Sequence, residues 1–313
     1  MARCLITGGA GFIGSAMAVK LLNEKHEVHV IDIESRIKRV RNKLKGVHLH
    51  CGDISKESTF STLPVDTFDI AFHMAAQTSA RVSEEDPGLD IDSNVKGTYY
   101  FCKWARENKP KRAVLTSSMA VYGAHGDNID EGAPIKPTSV YGITKVASES
   151  FFRILSEDGI KTSVYRLFNV YGPGQDYSNM KQGMLSIFLT QALTSDAIRV
   201  TGSLSRYRDF VYIDDVLNAL LINVDEDRTV ENIFNVGTGV PVTVKQLCNI
   251  IVNKMDKSRE NIPVIEIESH RGDVYGNYSN SDKLLSLGWK PIVNLDKGIE
   301  LTLFDAIGVL KCK

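Results

Sequence analysis

The run Ile6–Gly14, ITGGAGFIG, follows a short apolar stretch, Arg3–Thr7 (RCLIT). It opens directly onto Ile13–Asn23, whose apolar residues recur at helical spacing. A strand that ends in clustered glycines and turns at once into a helix restricts the fold more than any other feature of the chain. The rest of the first half keeps that rhythm. Strand-like runs at Glu27–Ile31, Val47–Cys51, Asp69–Met74, Arg112–Ser117 and Thr162–Leu167 alternate with helical patterns, the longest at Asp90–Asn108 and Ser139–Glu157. Strands rich in Val and Ile, separated by helices, predict an α/β fold with a parallel sheet covered on both faces.

The glycines sharpen this to a Rossmann-type doubly wound sheet. GxGxxG occurs at Gly9, Gly11 and Gly14, and Gly8, Gly11 and Gly14 are also spaced three apart. Gly8 or Gly9 would allow the tight turn, Gly11 the approach of a pyrophosphate, and Gly14 close packing of helix on sheet. The helix N-terminus, at Phe12 and Ile13, offers free N–H groups and the positive end of a dipole. Asp32 closes the next strand, where a carboxylate bonds a ribose 2′-OH and repels a 2′-phosphate; NAD is therefore expected over NADP. Asp53 and Ile54 end the third strand, where they would reach the adenine or form a plain turn.

After Gly172-Pro173-Gly174 the pattern changes. Helical segments at Gly183–Leu193, Asp214–Val224, Val244–Lys254 and Asp296–Leu310 alternate with brief strands at Ile198–Thr201, Phe210–Ile213, Ile233–Val236 and Val264–Ile267. We expect a dinucleotide-binding domain over residues 1–172 and a smaller α/β substrate lobe over 173–313, with chain crossing between them.

The 313 residues carry a formal net charge of −1 with both signs interspersed, which argues against a nucleic-acid or membrane-surface partner. The basic run Arg36–Lys45 is interrupted by apolar residues at helical spacing and reads as a solvated helix face, with a cofactor phosphate as the alternative contact. The five cysteines are scattered without a CxxC, which fits a reducing compartment. No apolar run reaches membrane-spanning length and the N-terminus has no signal-peptide pattern, so a cytoplasmic protein is expected. The histidines lack HExxH or paired metal spacing. His48 and His50 share one strand face and read as a solvated or satisfied pair, and no metal is expected.

In Ser139–Ser150 (SVYGITKVASES), Tyr141 and Lys145 lie one helical turn apart on one face. A phenol ionises near pH 10, and a cation within about 4–6 Å favours its phenolate. Such a pair can take a proton from a hydroxyl.

Together these segments resemble an extended short-chain dehydrogenase/reductase of the nucleotide-sugar epimerase group. The resemblance runs over nearly the whole chain: TGGAGFIG at Thr7–Gly14, HMAAQTSARVS at His73–Ser83, NVKGT at Asn94–Thr98, TSSMAVYG at Thr116–Gly123, YGITK at Tyr141–Lys145, RLFNVYGPGQ at Arg166–Gln175, RDFVYIDDV at Arg208–Val216, NVGTG at Asn235–Gly239, RGDV at Arg271–Val274 and LGWKP at Leu287–Pro291. It implies that Tyr141 is the base, that Lys145 supports it and bonds the nicotinamide ribose, and that Ser118 shares the reacting proton. Ser117 is the near alternative, and more a cofactor-side contact. Ala75, Ala76, Gln77 and Phe168 are implied around the cofactor, with Asn94 as a buttress. Thr78, Ser79 and Ala80 would line the sugar pocket. Arg208 and Arg271 would hold a nucleotide diphosphate; a salt bridge to Asp209 or Asp273 is the plain alternative. Asn169 would bond the diphosphate or sugar. Asn277 stands where galactose-restricted relatives hold a tyrosine, leaving room for a substituent at C2.

Family dehydratases carry an Asp-Glu pair after the TSS threonine, where this chain has Met119 and Ala120. Neither side chain shuttles a proton, which disfavours dehydration. The expectation is an NAD-dependent nucleotide-sugar 4-epimerase acting by transient oxidation at C4, with a 4-dehydrogenase or 4-ketoreductase of the same fold, or a non-catalytic dinucleotide-binding protein, as alternatives. Relatives pair the two long helices across a two-fold axis, so a homodimer is expected.

Overall fold

The structure, a computed structural model, describes residues 1–64, 68–225, 232–256, 261–268 and 275–311. Seven strands form the main sheet: β1 (Arg3–Thr7), β2 (Glu27–Asp32), β3 (His48–Cys51), β4 (Ile70–His73), β5 (Arg112–Ser118), β6 (Lys161–Leu167) and β7 (Asn232–Val236). Their order is β7-β6-β5-β4-β1-β2-β3. The pairs β1–β2, β1–β4, β2–β3 and β4–β5 are all parallel. The direction of winding reverses at β1, so the carboxyl ends of β1 and β4 border the crevice where ligands bind in open α/β sheets.

Three helices position that edge: α1 (Phe12–Asn23), α2 (Gly97–Asn108) and α3 (Val140–Glu157). Their apolar faces close over the sheet. Phe101 of α2 and Phe152 of α3 stack at 5.6 Å between ring centroids, and His73 at the end of β4 lies on Phe101 at 4.5 Å. Leu5, Ile31, Phe68, Ala71, Trp104 and Leu155 complete this core. The long helix expected over Asp90–Asn108 holds a wide π turn at Ile91–Lys96. Within it the Asn94 carbonyl accepts from the hydroxyls of Thr98 (2.5 Å) and Ser148 (3.0 Å), side-chain bonds that compete with the regular ladder.

The chain divides into two compact units, and the division is not a single cut. The first comprises Met1–Val121, Ser139–Arg166 and Leu217–Phe234, the second Tyr122–Thr138, Leu167–Val216 and Asn235–Lys313. Ile233–Val236, read above as part of the second lobe, belongs to β7 and extends the main sheet. The second unit has its own sheet, in the order Pro241–Thr243, Tyr207–Tyr212, Gly276–Ser279, Gly126–Ile129, with Asn169–Tyr171 beside Tyr207–Tyr212. Gly126–Ile129 (GDNI) is drawn from between β5 and α3. It is too short and polar to carry a periodic signal.

Candidate active site

The glycine turn is shaped by close approaches. Gly8 has φ +71°, and a Cβ there would lie 2.6 Å from the Ala75 backbone at the end of β4. A Cβ on Gly14 would lie 2.2 Å from the Gly8 carbonyl oxygen. These contacts bring the loops after β1 and β4 together under the start of α1. Gly11 is the residue before that helix; no side chain caps it and no acid stands in its first turn. Asp32 accepts from the Ala10 amide at 3.0 Å and from Ile33 at 2.8 Å, so its carboxylate adjoins the turn. Burial raises its pKa, opposed by those two amides and by Arg36. Uncapped amides beside a buried carboxylate are the donor set that a dinucleotide's pyrophosphate and ribose require, and the residues present fit NAD.

Ser118 ends β5, and Tyr141 and Lys145 lie in the first turns of α3. Ser139 caps that helix by accepting from the Gly142 amide at 3.1 Å, and Ser83 accepts from the Tyr141 amide at 3.0 Å, which sets where the helix begins. The Tyr141 phenol is hydrogen-bonded with Ser118. Lys145 is buried, its ammonium donating to the Thr116 carbonyl at 2.6 Å. The structure brings Ser118, Tyr141 and Lys145 together at the end of β5.

Burial acts on both titratable groups of the cluster. Burial pushes the Tyr141 phenol up to about 12, aided by Asp90 and opposed by the Ser118 bond. Lys145 is pushed down to about 8 by burial, opposed by Glu149. Burial therefore favours the neutral form of the Tyr141 phenol. The charges expected to favour the phenolate are those of Lys145 and of the nicotinamide ring of NAD⁺.

Glu149 was not singled out by the sequence, although it stands one turn beyond Lys145, the spacing that links Lys145 to Tyr141. Arg166 of β6 grips it with two hydrogen bonds, 2.9 and 2.7 Å, in an almost fully buried pair. The Ser117 hydroxyl also donates to Glu149, at 2.5 Å. Ser117 therefore faces this pair, which separates its role from that of Ser118.

The remaining first-unit candidates form a web. Asn94 accepts from the Gln77 amide (2.8 Å) and donates to the Gln77 carbonyl (3.0 Å) and the Thr144 hydroxyl (3.0 Å). The Gln77 side chain donates to Asp90 and accepts from the Ser79 amide. Asn94 thus ties the loop after β4 to α3. Ser79 is buried and caps the helix Ala80–Glu85 through the Val82 amide, whereas Thr78 is exposed. Ala75 and Ala76 are half-buried in the same loop. Asp53 accepts from the Ser55 amide at 2.9 Å, forming a turn, and Ile54 packs inward against Gly97.

In the second unit, Phe168 is buried, its amide donating to the Val236 carbonyl. Asn169 donates to the Asp209 carbonyl at 3.0 Å. Arg208 and Asn277 are register partners on adjoining strands, and both are buried. Arg208 donates to the Tyr207 and Tyr275 carbonyls, and burial beside Arg206 lowers its pKa to about 10. The Asp209 carboxylate, the plain partner considered for it, accepts from Thr238, Gly239 and Ser279. The Asn277 side-chain oxygen is buried without a hydrogen-bond partner. Arg271 lies outside the described residues.

A hydroxyl, a phenol and an ammonium gathered where β5 ends, across from a dinucleotide-type glycine turn, define the class: a short-chain dehydrogenase/reductase of the extended, nucleotide-sugar type. The chain belongs to the NAD dependent epimerase/dehydratase family, whose model matches residues 4–237. It is 32% identical over 317 residues to UDP-glucose 4-epimerase of Mycolicibacterium smegmatis, covering 96% of this chain and 97% of that one. It is 28% identical to dTDP-4-dehydro-6-deoxyglucose reductase of Escherichia coli, covering 99% and 98%. Among solved structures, UDP-glucose 4-epimerase of Thermus thermophilus in complex with NAD is 29% identical and matches with a TM-score of 0.85 over 98% of this chain and 99% of that one. The protein is an NAD-dependent enzyme of the epimerase/dehydratase type. Among the described residues, no helix is long and apolar enough to cross a membrane.

Proposed function

We propose that the protein is a nucleotide-sugar 4-epimerase. The observation that carries the reading is the Ser118–Tyr141–Lys145 cluster followed by Met119 and Ala120. The chain has a group to move a proton at one hydroxyl and none at those two positions to eliminate water. NAD, when bound, supplies a positive charge and the redox centre that takes hydride from C4 and returns it to the opposite face of the ketone. Tyr141 accepts the proton of the C4 hydroxyl and gives it back, because its phenol meets Ser118 at that strand end. Ser118 holds the reacting oxygen. Lys145, anchored by the Thr116 carbonyl, lowers the cost of the phenolate and bonds the nicotinamide ribose.

The glycine turn from Gly8 to Gly14 and Asp32 hold NAD in this reading. Asn94 and the loop Ala75–Gln77 frame it. Arg208, Arg271 and Asn169 bind the diphosphate, and the M. smegmatis and T. thermophilus relatives favour UDP as its carrier. Asn277, smaller than tyrosine, leaves space at the sugar's C2. A cytoplasmic, reducing setting belongs to the same reading, supported by the free thiols of Cys4, Cys51, Cys102 and Cys248.

The test is incubation of the NAD-loaded protein with UDP-glucose, with UDP-galactose followed by chromatography and reduced nicotinamide by its absorbance. The reading expects interconversion without accumulated NADH, and a loss of about 10²–10⁴-fold in kcat for Tyr141→Phe. The E. coli reductase relative supports a second reading, net 4-ketoreduction. Stoichiometric oxidation of NADH on a 4-keto sugar nucleotide, with no epimer formed, would establish that reading instead.

A further inference from the structure

We infer that Glu27, His29 and His48 form a binding site for a divalent transition-metal ion of zinc-like chemistry, with His50 and Arg3 as its outer support. The parallel register sets His29 of β2 opposite His48 of β3, and Ile31 opposite His50. Side chains alternate along a strand, so Glu27, His29, His48 and His50 gather on one face of the two strands. Asp32, an odd number of positions from His29, belongs to the other face. The cluster is therefore separate from the cofactor's acid.

The ligand atoms of Glu27, His29 and His48 all lie within 4.8 Å of one another. The His29 Nε2 meets a Glu27 carboxylate oxygen at 2.8 Å, and its Nδ1 meets the His50 Nε2 at 3.0 Å. The His48 ring stacks on His29 at 4.4 Å between centroids.

The arrangement also supplies what a metal site needs around its ligands. A ligating histidine holds its second ring nitrogen by a hydrogen bond, and a ligating carboxylate is itself hydrogen-bonded. His29 has Nε2 turned to the carboxylate and Nδ1 to His50. Glu27 is held by the Arg3 guanidinium at 2.9 Å. An ion entering between His29 Nε2 and Glu27 gains His48 by rotation of that exposed ring, and water completes a four-coordinate site. β3 is the edge strand, so the ion enters from solvent and pins the edge to β2. The pairing could not be read from the sequence. His48 and His50 announce themselves, but Glu27 and His29 join them only through the strand register.

The experiment uses tag-free protein, freed of metal by a chelator and dialysed, and titrated calorimetrically with zinc chloride. The inference expects one ion per chain with a dissociation constant in the micromolar range or tighter. Cobalt(II) in its place should give the visible absorption of a four-coordinate site. His48→Ala, at an exposed position, should weaken zinc at least tenfold while leaving turnover of UDP-glucose unchanged. His50→Ala should weaken it about 10–100-fold, as loss of an outer partner does. Absence of one-to-one binding, or equal affinity in both variants and the parent, would overturn the assignment.

Discussion

Lys145 is the residue on which burial and function pull in opposite directions. Its ammonium is wanted as a charge near Tyr141, yet its position removes it from water. Its pKa falls from the ordinary 10.5 to about 8. Between those values the unfolded chain binds the extra proton, so this group makes stability rise with pH from about 8 to about 10.5, and its full cost is present below 8. Glu149 opposes the fall, and its loss moves the lysine further down. NMR of ¹³C-labelled lysine side chains should find Lys145 titrating near 8 in the parent and lower in Glu149→Gln. An unchanged titration would remove Glu149 from the account. Tyr141, Lys145 and Ser118 were legible because helical spacing and a strand end are local signals. The upward push of burial on Tyr141 was not, because desolvation is a property of packing. Arg166 falls within the RLFNVYGPGQ motif, and nothing local marks it as the clamp on Glu149.

At the scale of elements, the turn from β1 into α1 is the most constrained. Gly14→Ala places a methyl group 2.2 Å from the Gly8 carbonyl oxygen and 2.8 Å from the Gly9 Cα. Backbone cannot yield as a side-chain tip does, so a cost of about 1–3 kcal/mol is expected, read as a lower urea midpoint together with weaker NAD binding. A midpoint equal to the parent's would contradict the close approach. The Val- and Ile-rich strands of the main sheet were legible at nearly their true limits, because strands buried on both faces read as continuous apolar runs. Asn169–Tyr171, Pro241–Thr243 and Gly276–Ser279 were not, since three or four residues are too few to carry a period. The π turn at Ile91–Lys96 was also invisible: one of the hydroxyls on its Asn94 carbonyl comes from Ser148, distant in the chain.

For the whole molecule, the interleaving of the two units follows from which strands complete which sheet. β7 returns to the main sheet, while Gly126–Ile129 leaves for the smaller one. No local pattern announces either exchange. The outer faces of α2 and α3 carry exposed Tyr99, Ile143 and Ile154, whereas Trp104 and Phe152 of the same helices are buried in the core. We propose that the exposed face pairs with a second copy. Light scattering should give twice the chain mass, and Ile143→Asp should shift it toward the monomer. A monomeric parent would contradict the pairing. The central claim, that one carbon is oxidised and then reduced within the same site, is tested most directly by isotope. UDP-glucose carrying deuterium at C4 should yield UDP-galactose that keeps the deuterium at C4, in water, with no lasting NADH absorbance. Exchange of that deuterium for solvent hydrogen would contradict it.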